Sequence, residues 1–260
     1  MIAALPRTVI SITGEGVADW LDGLITNSVP RDGRTAFAAL LTPQGKIIAD
    51  MVLTPTADGV RLDTPDAMAD DLLKRLRMYV LRAPITVAVE EGMTIHAVWN
   101  ADEDMPGAQD DPRHASLGQR VIAPALPTDA TIEDYDAHRL SLGVPDSLFD
   151  FGSAEIFPHD AAMDELNGID LKKGCFVGQE VVSRMARLGT VRKRIRAVVL
   201  SGAAEAGDTV QSGTRRVGDI LHVQGAMASA LVRLDRMEAA TEGYTVNGAP
   251  AEIMGGPTGN

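Results

Sequence analysis

The sequence predicts an α+β protein that ends in a small β-barrel or sandwich. Over the first 190 residues, strand-like runs joined by tight turns are interleaved with stretches of helical periodicity. After Arg192 the texture changes, because short strand-like runs are broken by glycine every few residues. A chain of 260 residues is long enough for one large domain or for two or three smaller ones, each with its own core.

Residues 7–12 alternate as a strand does, and Thr13-Gly14-Glu15-Gly16 ends them. Val17, Trp20, Leu21, Leu24 and Ile25 then fall at i, i+3, i+4, i+7 and i+8. That is one apolar face of a helix, and it makes Trp20 a core residue rather than a ligand contact. Residues 35–41 and 47–53 are rich in strand formers around Thr42-Pro43-Gln44-Gly45-Lys46, where proline presets φ and glycine permits the reversal of a hairpin. Asp58-Gly59 predicts a second hairpin, since both residues tolerate the positive φ of a two-residue turn. Residues 66–79 read as a helix with Met68, Leu72, Leu73 and Leu76 on one face. Residues 85–90 and 93–99 are expected to pair with each other about Glu91-Gly92. The polar stretch 100–114 is expected to be a loop whose acids face solvent, with a strand resuming near residues 119–123. A helix over 131–142 starts after Asp129 and stops at Gly143 and Pro145. Beyond a domain boundary near residues 189–192, strands are expected over 195–200, 217–223, 228–234 and 244–246.

The composition, 45% hydrophobic and 23% charged, is that of a globular protein, and no run of about 18 apolar residues could span a bilayer. The opening Met1-Ile2-Ala3-Ala4-Leu5-Pro6-Arg7 lacks the basic and apolar regions of a signal peptide. A soluble chain with no membrane association and a cytoplasmic location are therefore expected. Cys175 is the single cysteine, so neither an intrachain disulfide nor a metal site built from several thiolates is expected.

The net charge of −12 argues against a general nucleic-acid coat, which needs a positive field over its contact surface. The charge is uneven, however. Lys172, Lys173, Arg184, Arg187, Arg192, Lys193, Arg194 and Arg196 lie close together in the sequence with one acid, Glu180, among them. This segment reads either as a solvated face or as a site for an anion such as a polyglutamyl tail or a phosphate. Direct nucleic-acid binding is not expected from it, because a short basic run without interleaved aromatics offers no stacking platform.

The most informative stretch is Leu171-Lys172-Lys173-Gly174-Cys175-Phe176-Val177-Gly178-Gln179-Glu180-Val181-Val182-Ser183-Arg184-Met185. Gly178 precedes residues with helical spacing, so Cys175 is expected just ahead of a helix N-terminus. Unpaired backbone N–H groups, the helix dipole and the two lysines all favour a thiolate there. Gln179 and Glu180 belong to the first turn, where a carboxylate either stabilises the helix or contacts a ligand. Arg184, four residues after Glu180, either pairs with it or offers its planar fork to a carboxylate ligand.

Lys173-Gly174-Cys175-Phe176-Val177-Gly178-Gln179-Glu180 closely resembles the Lys-Gly-Cys-(Tyr/Phe)-x-Gly-Gln-Glu signature of the YgfZ family. Phe157-Pro158-His159-Asp160-Ala161 and Glu165-Leu166-Asn167-Gly168-Ile169 look like its lead-in, and Gly189-Thr190-Val191-Arg192-Lys193-Arg194 like its exit. Ile12-Thr13-Gly14 and the stretches 21–29, 41–50 and 138–145 resemble the wider folate-binding family that includes the glycine-cleavage T-protein.

The resemblance implies a T-protein-like fold of three modules around a central cleft. These are a folate-binding module (1–45 plus 125–190), an inserted ferredoxin-like α+β module (46–124) and a C-terminal β-barrel (191–260). It further implies tetrahydrofolate, or a one-carbon derivative, as the bound cofactor. The partners it implies are [4Fe–4S] client enzymes, radical enzymes that modify tRNA among them, whose clusters the protein assembles, inserts or repairs. Cys175 would be the reactive residue, and Lys173, Gly174, Gly178, Gln179, Glu180 and Arg184 would line the cofactor site. Tyr135 occupies a position where relatives carry an aromatic near the pterin, and it reads equally as a helix-packing residue.

A folate-dependent aminomethyl- or methyltransferase is the alternative, and a non-catalytic adaptor a third reading. The T-protein's pterin-holding Glu corresponds to Ser141 in Arg139-Leu140-Ser141-Leu142-Gly143, and its aspartate has no counterpart around residues 100–104. Both departures speak against aminomethyl transfer.

Overall fold

The chain opens with two strands, β1 (Ile2–Leu5) and β2 (Arg7–Gly14), that enter different sheets. Pro6, which has no N–H to donate, separates them. The computed structural model describes residues 1–101, 105–187, 189 and 191–257. A short helix α1 (Val17–Asp22) buries Val17 and Leu21 and is followed by β3 (Ala36–Leu41), β4 (Ile47–Thr56), β5 (Gly59–Pro65) and the long helix α2 (Asp66–Val80). With β6 (Ile85–Val89) the first sheet is complete, antiparallel and ordered β3-β4-β5-β2-β6. It packs with Met68, Leu72 and Leu76 of α2 in the largest apolar core.

The second sheet contains β1, β7 (Thr94–Val98), β8 (Gln109–Asp110) and β9 (Gln119–Ala123) in the order β1-β7-β9-β8. The expected pairing of residues 85–90 with 93–99 is therefore not formed. β6 runs beside β2, and the chain turns at Gly92, where φ is +76°, to place β7 between β1 and β9. The Asp58-Gly59 hairpin exists, but its two-residue turn is Ala57-Asp58, and Gly59 already pairs with Thr56 and Thr13. Glycine is required there by close approach, since a Cβ would sit 1.9 Å from the Ile12 carbonyl oxygen.

Helix α3 (Ile132–Ser141) carries a capping box in which Thr131 accepts from the Asp134 N–H and the Asp134 carboxylate accepts from the Thr131 N–H. Residues 142–178 then run largely as irregular chain, tied to neighbouring elements by hydrogen bonds of their backbone. Ile47 N–H donates to Ile156 O (2.9 Å), Thr26 Oγ1 to Gly168 O (2.7 Å), Asn27 Nδ2 to Asn167 O (2.7 Å) and Asp170 N–H to Thr26 O (3.0 Å). Helix α4 (Gln179–Arg187) leads to the last unit. Here β10 (Lys193–Leu200), β11 (Thr209–Ser212), β12 (Arg215–Gln224), β13 (Met227–Arg233), the short helix α5 (Leu234–Glu238), β14 (Tyr244–Val246) and β15 (Ala249–Ile253) follow. The strands close into a barrel, β10-β13-β12-β11-β14-β15, around Val198, Val210, Val217, Ile220, Ala230 and Val232.

No described helix is long and apolar enough to cross a membrane.

Candidate functional site at the Cys175 loop

The motif forms a loop pinned at both ends with its thiol at the exposed tip. At one end the Lys173 ammonium donates to Ile25 O (2.9 Å) and Asn27 O (2.7 Å) and sits over the Phe176 ring. Burial lowers its pKa from the usual lysine value, against the pull of Asp22 and Asp170. Lys173 was expected to act on the thiol, and its hydrogen bonds instead go to backbone carbonyls of a neighbouring segment. At the other end Gly178 has φ +79°, and a Cβ on it would meet Thr42 O at 2.8 Å and Gly45 Cα at 3.1 Å. A Cβ on Gly45 would in turn meet Val181 Cβ at 2.8 Å, so the turn between β3 and β4 receives the start of α4. Phe176 is buried between the two anchors. Gly174 and Cys175 are exposed, and no atom lies within 4 Å of a Cβ built on Gly174. Cys175 thus lies four residues before α4, as expected.

Gln179 is half-buried in the first turn of α4, where its N–H donates to Phe176 O (3.2 Å). Glu180 and Arg184 are both exposed, and among the described residues no ion pair joins them. The basic segment is divided by the fold. Arg194 pairs with Asp164 and Glu165, and Arg196 with Glu165, which makes them structural residues rather than an anion site. Lys172, Arg184, Arg187, Arg192 and Lys193 remain exposed.

A cleft of about 790 Å³ opens beside this loop. Asn27, Val29, Pro30, Arg34, Phe37, Pro112 and Asn167 contribute to its walls. Lys173 grips the Asn27 carbonyl, and Asp170 accepts from Ser28 Oγ at 3.1 Å, so the loop is tied to the wall of the cleft. Neither Cys175 nor Tyr135, Gly174, Gly178, Gln179, Glu180 or Arg184 lines it.

Tyr135 is 1% exposed and belongs to a buried polar cluster that the sequence did not reveal. Its hydroxyl accepts from Arg113 Nη2 (2.7 Å) and Arg120 Nη2 (3.3 Å), and its ring meets Trp99 edge-on. Burial pushes the phenol pKa up. Arg113 also pairs with Asp111 and with Asp146 (2.7 Å), Arg120 with Asp111 (2.7 Å) and Asp63, and Arg7 with Asp63 and Asp146 (3.5 Å). Asp111 had been expected to face solvent, and it is 5% exposed. Burial opposes its ionisation, but Arg113 and Arg120 prevail and hold its carboxyl well below the usual range. Asp50 differs, because burial, assisted by nearby Asp146, raises its pKa against the pull of Arg7.

Ser141, in place of the T-protein's Glu, is exposed at the end of α3 and donates to His138 O (2.6 Å). Of the stretch 100–104, which lacks a counterpart of the T-protein's aspartate, residues 102–104 lie outside the described residues, as does Thr190 of the motif's exit. Among the described residues no group of His, Cys, Asp and Glu is placed to hold a metal ion.

The architecture is that of the glycine-cleavage T-protein. The crystal structure of glycine cleavage system aminomethyltransferase T from Bartonella henselae superposes with a TM-score of 0.77 over 98% of this chain and 85% of that one, at 14% identity. Residues 192–254 match the family described as "CAF17, C-terminal beta-barrel domain".

By sequence the chain is a relative of proteins named iron–sulfur cluster assembly factor IBA57, where the cysteine motif had pointed to YgfZ. The Neurospora crassa homolog is 31% identical over 76% of this chain and 53% of its own length, and the human protein 26% identical over 92% and 80%. The chain thus spans about half the length of the Neurospora relative. These relatives are named as mitochondrial, which overturns the cytoplasmic expectation. That expectation rested on the lack of a secretory signal, and such a signal reports on export alone.

Proposed function

We propose that this protein acts in the assembly, insertion or repair of iron–sulfur clusters in client enzymes, with Cys175 as the residue that meets the cluster or its donor. The observation that carries the reading is the exposed thiol on a loop fixed by Lys173 on one side and by Gly178 and Val181 on the other. A fixed, accessible thiol can ligate iron, giving up its proton as it binds, without first ordering a flexible segment, which lowers the entropic cost of capture. The naming of the relatives supports the same reading. Lys173 and Gly178 act as positioning residues, while Glu180 and Arg184 flank the approach.

The cleft fits a reduced folate in size, since small-molecule sites usually enclose about 300–1,000 Å³. Val29, Pro30, Phe37 and Pro112 would meet the flat heterocycle, and exposed Arg34 would meet the carboxylates of its tail. When bound, the folate would supply one-carbon chemistry.

The decisive experiment replaces Cys175 by Ser and asks whether the variant restores a cluster-dependent enzyme, such as a radical enzyme that modifies tRNA, in a strain lacking the protein. Restoration is expected to fail although the variant folds and keeps its folate affinity. Full restoration by Cys175→Ser would remove the thiol role. A calorimetric titration with tetrahydrofolate tests the cofactor separately, and no heat of binding would leave the cluster role standing without it. The transferase alternative draws support from the fold alone, and turnover of an aminomethyl-lipoyl carrier with tetrahydrofolate would establish it.

A further inference from the structure

A second surface, unconnected with the cysteine loop, stands out at the end of α2. Leu81 is 87% exposed, Met78 66% and Tyr79 38%, three large apolar side chains within four residues. Leu72 and Leu76 already fill the buried face of α2, so these three are surplus to the core. The backbone is unusual as well. Leu81 has φ +47° and ψ −105°, and Ala83 N–H donates to Val80 O (2.8 Å), closing a turn with Leu81 in its first central position. This is the conformation of a type II′ turn, where glycine is the cheapest residue and leucine a strained one. Solvation and backbone energetics therefore both disfavour leucine here.

The surroundings indicate what would compensate. Lys74, Arg77 and Arg82 are exposed around the apolar group, and residues 72–84 contain no acid, in a chain whose net charge is −12. Tyr79 is held in place through its carbonyl, which accepts from Trp20 Nε1 (3.3 Å). An apolar projection rimmed by cations is complementary to an apolar pocket rimmed by carboxylates. Nucleic acid offers no such pocket, and the three cations fall short of the clusters of roughly four to eight Lys and Arg by which proteins bind anionic bilayers.

We propose that Leu81, with Met78 and Tyr79, is the anchor of a docking surface for an acidic, apolar segment of a partner protein. The proposal does not rest on the iron–sulfur reading, because Cys175 lies on a separate element and is untouched by changes at Leu81.

The test uses the full chain and a displayed library of random 16-residue peptides. Selection should enrich peptides in which Asp or Glu flanks Leu, Ile or Phe. The best of these, followed by fluorescence anisotropy, should lose at least about tenfold in affinity with Leu81→Gly and should weaken between 50 and 300 mM salt. Leu81→Gly should melt at the same or a higher temperature than the parent, because glycine relieves the turn, so lost binding is not misfolding. Phosphatidylglycerol vesicles and a transfer RNA serve as competing probes. Equal peptide binding by Leu81→Gly, enrichment without acidic residues, or Leu81-dependent binding to the vesicles or the RNA instead would each overturn the proposal.

Discussion

Three guanidiniums, those of Arg7, Arg113 and Arg120, share the buried centre with four carboxylates, those of Asp50, Asp63, Asp111 and Asp146. The acids outnumber the bases by one, and Asp50 carries the raised pKa, with Ser147 Oγ donating to it at 2.5 Å. Asp111 serves two arginines. Asp111→Asn leaves both without a full counter-charge and should cost about 3–5 kcal/mol. Asp50→Asn removes surplus charge and should fall within about 1 kcal/mol of the parent at neutral pH, or be more stable.

The pH dependence of the two acids runs in opposite directions. Asp111, with a depressed folded pKa, gives stability that is present above the ordinary carboxylate value and lost as pH falls through the folded one. Asp50, with a raised folded pKa, gives stability present below the ordinary value and lost as pH rises through the folded one, and Asp50→Asn abolishes that loss. Urea titrations at pH 2.5, 4.5 and 7.5 measure both effects, the Asp111 loss between the two lower values and the Asp50 loss above them, and equal destabilisation by the two variants at pH 7.5 would contradict this balance of charges. At Gly178 the backbone decides. Gly178→Ala combines a positive φ with a 2.8 Å approach to Thr42 O and should cost about 1–3 kcal/mol while changing the rate of native-state Cys175 labelling. An unchanged labelling rate would show that the loop is not held from that end. The position of Cys175 ahead of α4 was legible in the sequence because its signal lies within a dozen residues, whereas the anchors of the loop, Ile25 O, Asn27 O and the turn at Thr42 and Gly45, lie far off in the chain. The charge cluster was not, because its members run from Arg7 to Asp146 with no local period.

Among the elements, α2 and α3 were read to within a residue or two, since each carries a long apolar face or a capping signal. Short strands were not. β1 has four residues before a proline, β8 has two, and β15 contains Pro250, so none shows a readable alternation. Pairing was harder still, because periodicity identifies a strand without naming its neighbour. β6 and β7, adjacent in sequence, went to different sheets. The same topology bears on the module division at residue 45, which falls in the turn between β3 and β4 of one sheet. β4 and β5 pair with β3 and β2, and β7 pairs with β1, all across that division. A fragment of residues 46–124 should therefore lack three of the strands its own strands pair with. Its proton–nitrogen correlation spectrum should show the narrow amide dispersion of an unfolded chain, and a dispersed spectrum would establish that stretch as an independent module.

At the scale of the whole molecule, the boundary near residue 190 was visible because glycine punctuation sets the barrel apart, but the way the barrel is held was not. Among the polar contacts that join it to the rest are those of Arg194 and Arg196 of β10 with Asp164 and Glu165, of His222 of β12 with Asp136 (2.6 Å), and of Ser229 of β13 with Asp150 (2.7 Å). Two of these acids also grip Arg139, so α3 is the hub through which the barrel meets the body. Arg194 is 9% exposed and Arg196 7%, so removing their partners strands two guanidiniums that water scarcely reaches. The double variant Asp164→Asn, Glu165→Gln should therefore uncouple the units rather than unfold either. Calorimetry should resolve the parent's single transition into two, with the barrel melting first and about 2–4 kcal/mol of interface stability lost. If the variant melts in one transition at the parent's temperature, the barrel is held by its apolar contacts and the arginine pairs are incidental.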